Sequence, residues 1–400
     1  MFFAYLDPGS GSALVGTIVA VAGAAVFSLK SLFYRIVGAK KQADASDQDM
    51  AIFSEGRNYW GTFREIVEEL IARRIHFAYY TTDLHDPALC IDSEYMHARL
   101  FDARKAASYP KLARIRAKLL LATTPNIGTP GYPLARPAGV GKLVHVFHAF
   151  ADISAYHIGS LDEYDVVLSV GPQQEKPIRE VEKARGLRHK TIIPVGLPYF
   201  DAQFHALTGQ EAGHDDRRTI LVGPSWGAKG LLREYGTAFI CDLARAGYDV
   251  IVRPHPQSYI AEPDFIRKCQ AETAACTNVV WDSETVGTAA MLASDLLISD
   301  TSSIRFDYAF LYGKPVVTLD IPHEKQLEYE GQFMSEIWTD SAARRLGRVL
   351  THADIGSIVP IVGDVLASGA ADVKRFRDET IANLGTSAKA VVDFLQKEVA

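Results

Sequence analysis

Hydroxyl side chains follow a short apolar stretch in the second half of the chain, and their types suit phosphate binding. Asp300, Thr301, Ser302 and Ser303 follow the predicted buried strand 296–299, and a helical pattern that includes Asp307 comes next. A helix N-terminus at the carboxyl end of a parallel strand offers free amide groups and the positive end of the helix dipole. The same residues also suit an ordinary helix cap, so this stretch alone leaves both interpretations open.

A second polar pair closes an earlier predicted strand of the same half. Arg253 and His255 lie in an Arg-Pro-His-Pro sequence, whose two prolines cannot continue a central strand. Both side chains are therefore predicted at the carboxyl edge of the sheet, where a guanidinium fork and an imidazole can bind phosphate. The alternative is a rigid turn with a hydrogen-bonded histidine. Trp226, in a loop after another strand, would either stack on a nucleotide base or pack at the start of a helix.

A histidine at the end of a strand in the first half is the candidate general base. Alternation along the strand places His148 on the face opposite to His145, so the two are not expected to hold a metal together. Imidazole is the usual group that deprotonates a hydroxyl near neutral pH. Asp152 would either orient His148 or cap the next helix. We expect no metal site.

The composition indicates a globular scaffold for these residues. The chain has 400 residues, of which 48% are hydrophobic and 22% charged, and it is long enough for two domains. The net charge of −6 argues against a general nucleic-acid-binding protein. The four cysteines show no CxxC spacing, which indicates reduced thiols in a cytoplasmic body rather than disulfides or a zinc site.

The N-terminal stretch suits a membrane. Residues 11–29 carry no charge, and as a helix they would reach about 28 Å, just enough for a bilayer core. Positive residues follow at Lys30, Arg35, Lys40 and Lys41, which predicts an outer N-terminus and a cytoplasmic body. The alternatives are a helix lying in the membrane interface and a helix packed on the protein.

Predicted strands alternate with helical patterns on both sides of a polar segment. This alternation predicts an α/β protein of two Rossmann-like, doubly wound domains, with ligands in the cleft at the carboxyl ends of the strands. The predicted segments are an anchor helix with its basic flank (1–41), a linker (42–50), an N-terminal domain (51–208), a hinge (209–216), a C-terminal domain (217–340) and C-terminal helices crossing back to the N-terminal domain (341–400).

These motifs make the sequence resemble the CDP-glycerol glycerophosphotransferase family, the teichoic-acid primases and polymerases, which have a GT-B fold. The resemblance covers roughly residues 142–320. It rests mainly on Arg-Pro-His-Pro at 253–256 and on Ile-Ser-Asp-Thr-Ser-Ser-Ile-Arg-Phe-Asp-Tyr at 298–308. The resemblance implies an acceptor-binding N-terminal domain and a C-terminal domain that binds the nucleotide donor.

The resemblance also implies roles for single residues. His255, Ser302 and Ser303 would contact the donor pyrophosphate, His148 would be the base, and Asp307 would support the site or touch the donor's glycerol or ribose. The sequence departs from the family pattern at two places. His148 is followed by alanine rather than glycine, and the turn at 225–229 lacks the family's arginine, which leaves Lys229 as a stand-in.

The expected function is therefore transfer of a glycerol-phosphate or related polyol-phosphate unit from a CDP-activated donor. The acceptor would be a hydroxyl on a lipid-linked or polymeric molecule of the cell envelope, and the protein would sit at the cytoplasmic membrane. No cofactor and no nucleic-acid partner are expected. The alternatives are a GT-B glycosyltransferase that uses a UDP- or CMP-sugar, and a non-catalytic, membrane-tethered nucleotide-binding scaffold.

Overall fold

The computed structural model of this chain describes residues 48–102, 104, 108–150, 152–207, 217–227, 229–284, 287–321, 328–369 and 371–400. The predicted anchor at 1–41 and the predicted hinge at 209–216 lie outside the described residues. Everything below concerns the described part of the chain.

The first domain contains a sheet of seven parallel strands in the order β3-β2-β1-β4-β5-β6-β7. Its strands are β1 (Gln48–Ser54), β2 (Phe77–Thr81), β3 (Met96–Leu100), β4 (Arg116–Ala122), β5 (Gly139–Val146), β6 (Val166–Ser169) and β7 (Thr191–Pro194). The central strands are short apolar runs because helices cover both faces of a parallel sheet.

The second domain contains a six-stranded sheet in the order β10-β9-β8-β11-β12-β13, also parallel. Its strands are β8 (Thr219–Gly223), β9 (Asp249–Val252), β10 (Val279–Trp281), β11 (Leu296–Ser299), β12 (Val316–Leu319) and β13 (Gly347–Leu350). In both sheets the first strand of the domain lies inside, with later strands added on either side. This order is that of a doubly wound fold, as the sequence predicts.

Helices cover both sheets. In the first domain they are α1 (Trp60–Ala72), α2 (Ser108–Leu112), α3 (Glu175–Arg185) and α4 (Pro198–Leu207). In the second they are α5 (Leu231–Tyr235), α6 (Ala238–Arg245), α7 (Pro256–Ala261), α8 (Pro263–Thr273), α9 (Thr288–Ala293), α10 (Ile304–Tyr312), α11 (Trp338–Leu346) and α12 (Ile358–Ser368). Two further helices close the chain, α13 (Ala371–Thr380) and α14 (Ser387–Val399).

An aromatic cluster joins the two domains beside the cleft. The ring of Phe150, just after β5, stacks on Phe306 of α10 at 4.8 Å and meets Phe310 edge-on at 5.1 Å. Trp338 and Phe376 complete the cluster. Phe150 follows His148 closely, and Phe306 lies one turn after Ser303, so this contact brings the two predicted halves of the site towards each other.

The last helix returns to the first domain. Val391, Val392 and Leu395 of α14 are fully buried in the core formed with α1, β1 and β4. Asp201 of α4 accepts a hydrogen bond from the backbone N–H of Ala388 at 2.8 Å, which caps the start of α14.

The structure differs from the predicted segments at two places. β1 begins at Gln48, inside the predicted linker, because Met50 is fully buried and pairs with Leu119 of β4. β13 lies in the segment predicted as helices only, and it pairs with β12 at the edge of the second sheet. Gly347 and the exposed Arg348 hide this edge strand from a search for apolar runs.

Among the described residues, no single helix has the length and apolar composition to cross a bilayer. One bent pair, Ile355–Ser368 with Ala371–Thr380, meets those criteria only when its two parts are taken together, at an angle of 73°. The apolar face of its first part, with Ile358, Val362 and Val365, is buried in the core of the second domain.

Candidate active site

Three neighbouring strands of the second domain end in the loops that carry the predicted donor-binding residues. Trp226 follows β8, His255 follows β9, and Ser302 follows β11. β8 lies between the other two strands. Neighbouring strands are about 4.8 Å apart, so the chain segments after β9 and β11 are about 10 Å apart. Side chains reaching inward from both can therefore contact one diphosphate.

A buried carboxylate holds two of these loops together. One oxygen of Asp300 accepts hydrogen bonds from the Ser225 N–H at 3.1 Å, the Ser225 hydroxyl at 2.6 Å and the Leu231 N–H at 2.9 Å. Its other oxygen accepts from the Ser302 N–H at 3.2 Å. Asp300 is fully buried. It therefore fixes the loop with Trp226 relative to the turn with Ser302 and Ser303.

His255 is held in an orientation that leaves one ring nitrogen for a ligand. Its Nδ1 accepts a hydrogen bond from the Gln257 N–H at 3.1 Å, which caps α7. A neutral ring that accepts at Nδ1 carries its proton at Nε2, so Nε2 is a donor. Partial burial lowers the pKa of His255, which favours this neutral form. The ring also stacks near Trp226, with the centroids 6.3 Å apart.

Trp226 and Lys229 both face solvent in the loop after β8. Trp226 is 51% exposed, which is unusual for so large an apolar side chain. Of the two interpretations of Trp226, packing at the start of a helix is therefore wrong for this structure. An exposed indole beside a histidine is available for stacking on a planar ligand.

Arg253 forms a buried ion pair, and its predicted contact with phosphate stays a prediction. The side chain is 9% exposed, and its Nη1 donates to Asp282 at 2.5 Å. The ion pair joins the end of β9 to the loop after β10. This buried ion pair therefore supports the edge of the sheet.

The turn before α10 presents hydroxyls and amides. Thr301 and Ser302 are half-buried, and Ser303 is exposed. Ser303 occupies the N-cap position, but its hydroxyl makes no capping hydrogen bond, so it remains available. The helix ends at Gly313, which has a left-handed conformation.

Asp307 lies at the junction between the domains. It interacts electrostatically with Tyr199 of α4 and with Tyr312 one turn further along α10. Its Oδ1 is buried without a hydrogen bond among the described residues. Burial raises the pKa of Asp307 to about 7. This arrangement fits support of the site better than direct contact with a donor at the sheet edge.

On the opposite side, His148 is part of a cluster at the carboxyl edge of the first sheet. Its ring meets Tyr59 edge-on, with the centroids 5.0 Å apart. Tyr59 hydrogen-bonds to Glu55, and the Tyr132 hydroxyl donates to Glu55 at 3.3 Å. The Nδ1 of His148 is buried without a partner among the described residues. Burial lowers the pKa of His148 and raises that of Glu55, so both groups favour their neutral forms.

Of the two roles open to Asp152, the structure shows the cap. Its Oδ1 accepts from the Ser154 N–H at 2.9 Å, and its Oδ2 accepts from the Trp338 N–H at the start of α11 at 3.0 Å. The carboxylate thus joins the first domain to the second. Among the described residues no hydrogen bond joins Asp152 to His148, and the alternative, in which Asp152 orients His148, stays a prediction.

Sequence reasoning missed Asp300 and Glu55. Asp300 stands among hydroxyl residues that all suit a helix cap, so its type gave no separate signal. Glu55 directly follows β1, and that position after a buried strand was the available signal. In the described part of the chain, no group of three or more His, Cys, Asp or Glu residues is placed to hold a metal ion.

Residues 152–329 match the model of a protein family described as CDP-Glycerol:Poly(glycerophosphate) glycerophosphotransferase. The match covers less than half of the chain. It includes the loops with Trp226, His255 and Ser302 and begins just after His148. The predicted resemblance to this family is thus confirmed over residues 152–329. No curated sequence matches the chain significantly.

Several solved structures share the fold. The wall teichoic acid polymerase TagF is 14% identical over 96% of this chain and 95% of its own, with a TM-score of 0.52. A UDP-GlcNAc 2-epimerase from Neisseria meningitidis is 12% identical over 88% of this chain and 100% of its own, with a TM-score of 0.57. The lipopolysaccharide outer core galactosyltransferase WaaB is 13% identical over 88% and 100%, with a TM-score of 0.52. These likenesses confirm the predicted architecture of two parallel-sheet α/β domains with GT-B neighbours.

Proposed function

We propose that this glycerophosphotransferase-like enzyme transfers a glycerol-phosphate, or a related polyol-phosphate, from a CDP-activated donor to a hydroxyl of a lipid-linked or polymeric cell-envelope acceptor. One observation carries the proposal. His255, Trp226 and the Ser302–Ser303 turn occupy adjacent loops at one sheet edge, and Asp300 ties two of those loops together. Ligands bind at this edge in doubly wound sheets.

In the proposed complex, the donor lies on the second domain. The Nε2–H of His255, the Ser303 hydroxyl and the amides before α10 donate to the diphosphate, with the positive end of the α10 dipole behind them. Trp226 stacks on the cytosine, and Lys229 in the same loop supplies positive charge. Arg253 acts indirectly, by fixing the edge through Asp282.

The reaction follows from this placement. The acceptor oxygen attacks the distal phosphorus and forms a new P–O bond, while the bond between that phosphorus and the bridging oxygen breaks and CMP leaves. His148 takes the acceptor proton, a role that contributes about 10²–10⁴-fold in rate. The hydrogen-bond donors around His255 and Ser303 balance the charge that builds on the leaving phosphate, which is usually the larger contribution. The proposal includes no metal and no cofactor.

We also propose that residues 11–29 bring the enzyme to the inner face of the cytoplasmic membrane. The support is the uncharged stretch followed by basic residues. A lipid-linked acceptor would be reached from that position.

The assignment is tested by following CMP release from labelled CDP-glycerol, with and without lipid extract. His148→Ala and His255→Ala should each lower the rate at least a hundredfold, while His85→Ala, an exposed histidine outside the site, should not change it. The base acts in its neutral form, and the pKa of His148 is lowered from 6.5. The acid limb of the pH profile should therefore lie below pH 6.5.

The other outcomes identify the alternatives. Near-normal turnover by His255→Ala would contradict the proposal. Consumption of UDP- or CMP-sugars instead of CDP-glycerol or CDP-ribitol would indicate a glycosyltransferase. Nucleotide binding without turnover would indicate the scaffold.

A further inference from the structure

A recess with a volume of about 470 Å³ opens at the amino end of the second sheet. Pro315 and Gly347, at the starts of β12 and β13, form part of its wall. It therefore lies at the opposite end of the sheet from the loops that carry His255 and Ser302. The end of α11, the end of α12 and the start of α13 form the other walls. We call it the arginine recess after the residues that line it: Arg344, Arg345, Arg348 and Arg375.

Two of the four arginines are already paired. Arg345 makes an ion pair with Glu379 at 2.8 Å and lies over the ring of Phe376. Arg375 pairs with Asp372, which also lines the recess.

The other two arginines carry uncompensated charge. Arg344 and Arg348 are exposed, and neither forms an ion pair with a described residue. Asp364 is the remaining acidic residue of the lining. The recess therefore holds local positive charge on a chain whose net charge is −6. Guanidinium groups make planar, bidentate contacts with phosphate or carboxylate oxygens.

We propose that the arginine recess binds an anion with two or more phosphate groups, and that Arg344 and Arg348 are its ligands. The volume is in the usual range for small-molecule sites and leaves room for more than one phosphate. The first turn of α13, a ten-residue helix, lines the same space and adds the positive end of its dipole. The proposal is independent of the transfer reaction, because the recess lies at the far end of the sheet.

A soluble or polymeric phosphate fits the recess better than a membrane surface does. Membrane-surface sites combine basic residues with exposed apolar ones that enter the lipid. The large exposed apolar side chains of the described residues lie elsewhere, and the apolar residues of α12 are buried in the core or partly buried against it. The recess is thus basic without an apolar anchor.

Titration calorimetry with tripolyphosphate tests the proposal. The parent protein and both double variants carry His255→Ala, so that the proposed donor site around His255 contributes less binding. The parent protein should bind tripolyphosphate, and binding should weaken as salt rises. The variant R344Q/R348Q should bind at least tenfold more weakly. The variant R245Q/R267Q removes two exposed arginines at other places, has the same net charge, and should bind like the parent.

Two results would overturn the proposal. One is equal affinity of R344Q/R348Q and R245Q/R267Q at equal melting temperatures. The other is binding to phosphatidylglycerol vesicles through Arg344 and Arg348 without affinity for tripolyphosphate, which would make the recess a membrane contact. A poly(glycerol phosphate) oligomer in the same titration shows whether a phosphodiester chain is accepted. CMP release is assayed separately, so its failure would leave this result standing.

Discussion

Single residues at the ends of strands were visible in the sequence, but their partners were not. Arg253 and His255 have similar signals, yet one is buried against Asp282 and the other faces the cleft. Asp152 bonds to Trp338, which lies 186 residues away in the chain. Residue type and strand position predict which edge a side chain occupies. They cannot predict whether a distant group has already taken its hydrogen bonds.

Asp300 provides the prediction at this scale. Asp300→Asn would replace one carboxylate oxygen with an NH₂ group, so at least one of its four backbone and hydroxyl donors loses its acceptor. An unsatisfied buried donor costs about 1–3 kcal/mol. We expect the KM for CDP-glycerol to rise about 10–100-fold, with a smaller change in kcat, because the loops that hold the donor separate.

Asp354→Asn is the matched control for this change. Asp354 also accepts from a backbone N–H and a hydroxyl, both from Thr351, but on the exposed surface. Its replacement should leave the KM unchanged. An equal rise in both variants, or a fall in kcat alone for Asp300→Asn, would remove Asp300 from its positioning role.

At the scale of elements, local signals were sufficient where the chain folds locally. The strand β11 and the start of α10 were predicted because an apolar run and capping residues act within a few residues. The strand β13 was not predicted, because an edge strand needs no apolar run, only a neighbouring strand to pair with. The side of α10 that meets α4 was also hidden, since that contact depends on the arrangement of the domains.

Asp307 on that side of α10 provides the prediction at this scale. Its pKa is raised from 3.8 to about 7, so the folded protein binds its proton more tightly than the unfolded chain does. Stability therefore falls as pH rises from about 4 to about 7, and the full penalty is present above pH 7. Asp307→Asn should raise the stability at pH 8 by about 1–3 kcal/mol, with little effect at pH 4.

Thermal melting of Asp307→Asn at both pH values measures this difference. Asp242→Asn, at an exposed position of helix α6, is the control and should shift neither midpoint. A midpoint for Asp307→Asn that falls at pH 8 would show that the ionised carboxylate stabilises the junction, against this account.

At the scale of the whole molecule, the chain crosses between the two domains more than once. Helix α14, which follows the entire second domain in the chain, completes the first core, and Asp201 caps it from α4. The sequence indicated two doubly wound halves correctly, because alternation of strands and helices is a repeated local signal. The predicted return of the C-terminal helices to the first domain is seen in α14, but its individual contacts, such as that of Asp201 with Ala388, join residues more than 180 positions apart and could not be predicted.

The first domain therefore depends on residues at the far end of the chain. Leu395 is fully buried between α14 and the first sheet, and Leu395→Ala should cost about 2–5 kcal/mol. Because the loss falls on one core, hydrogen exchange should accelerate in α14, β1 and β4, whereas β8, β9 and β11 should keep their protection. Lys389→Ala, exposed on the same helix, is the control and should change neither. Equal loss of protection in both sheets would show that the aromatic cluster around Phe150 couples the domains into a single cooperative unit. In that case the cleft between His148 and His255 would open only on global unfolding, and not by separation of two independently stable domains.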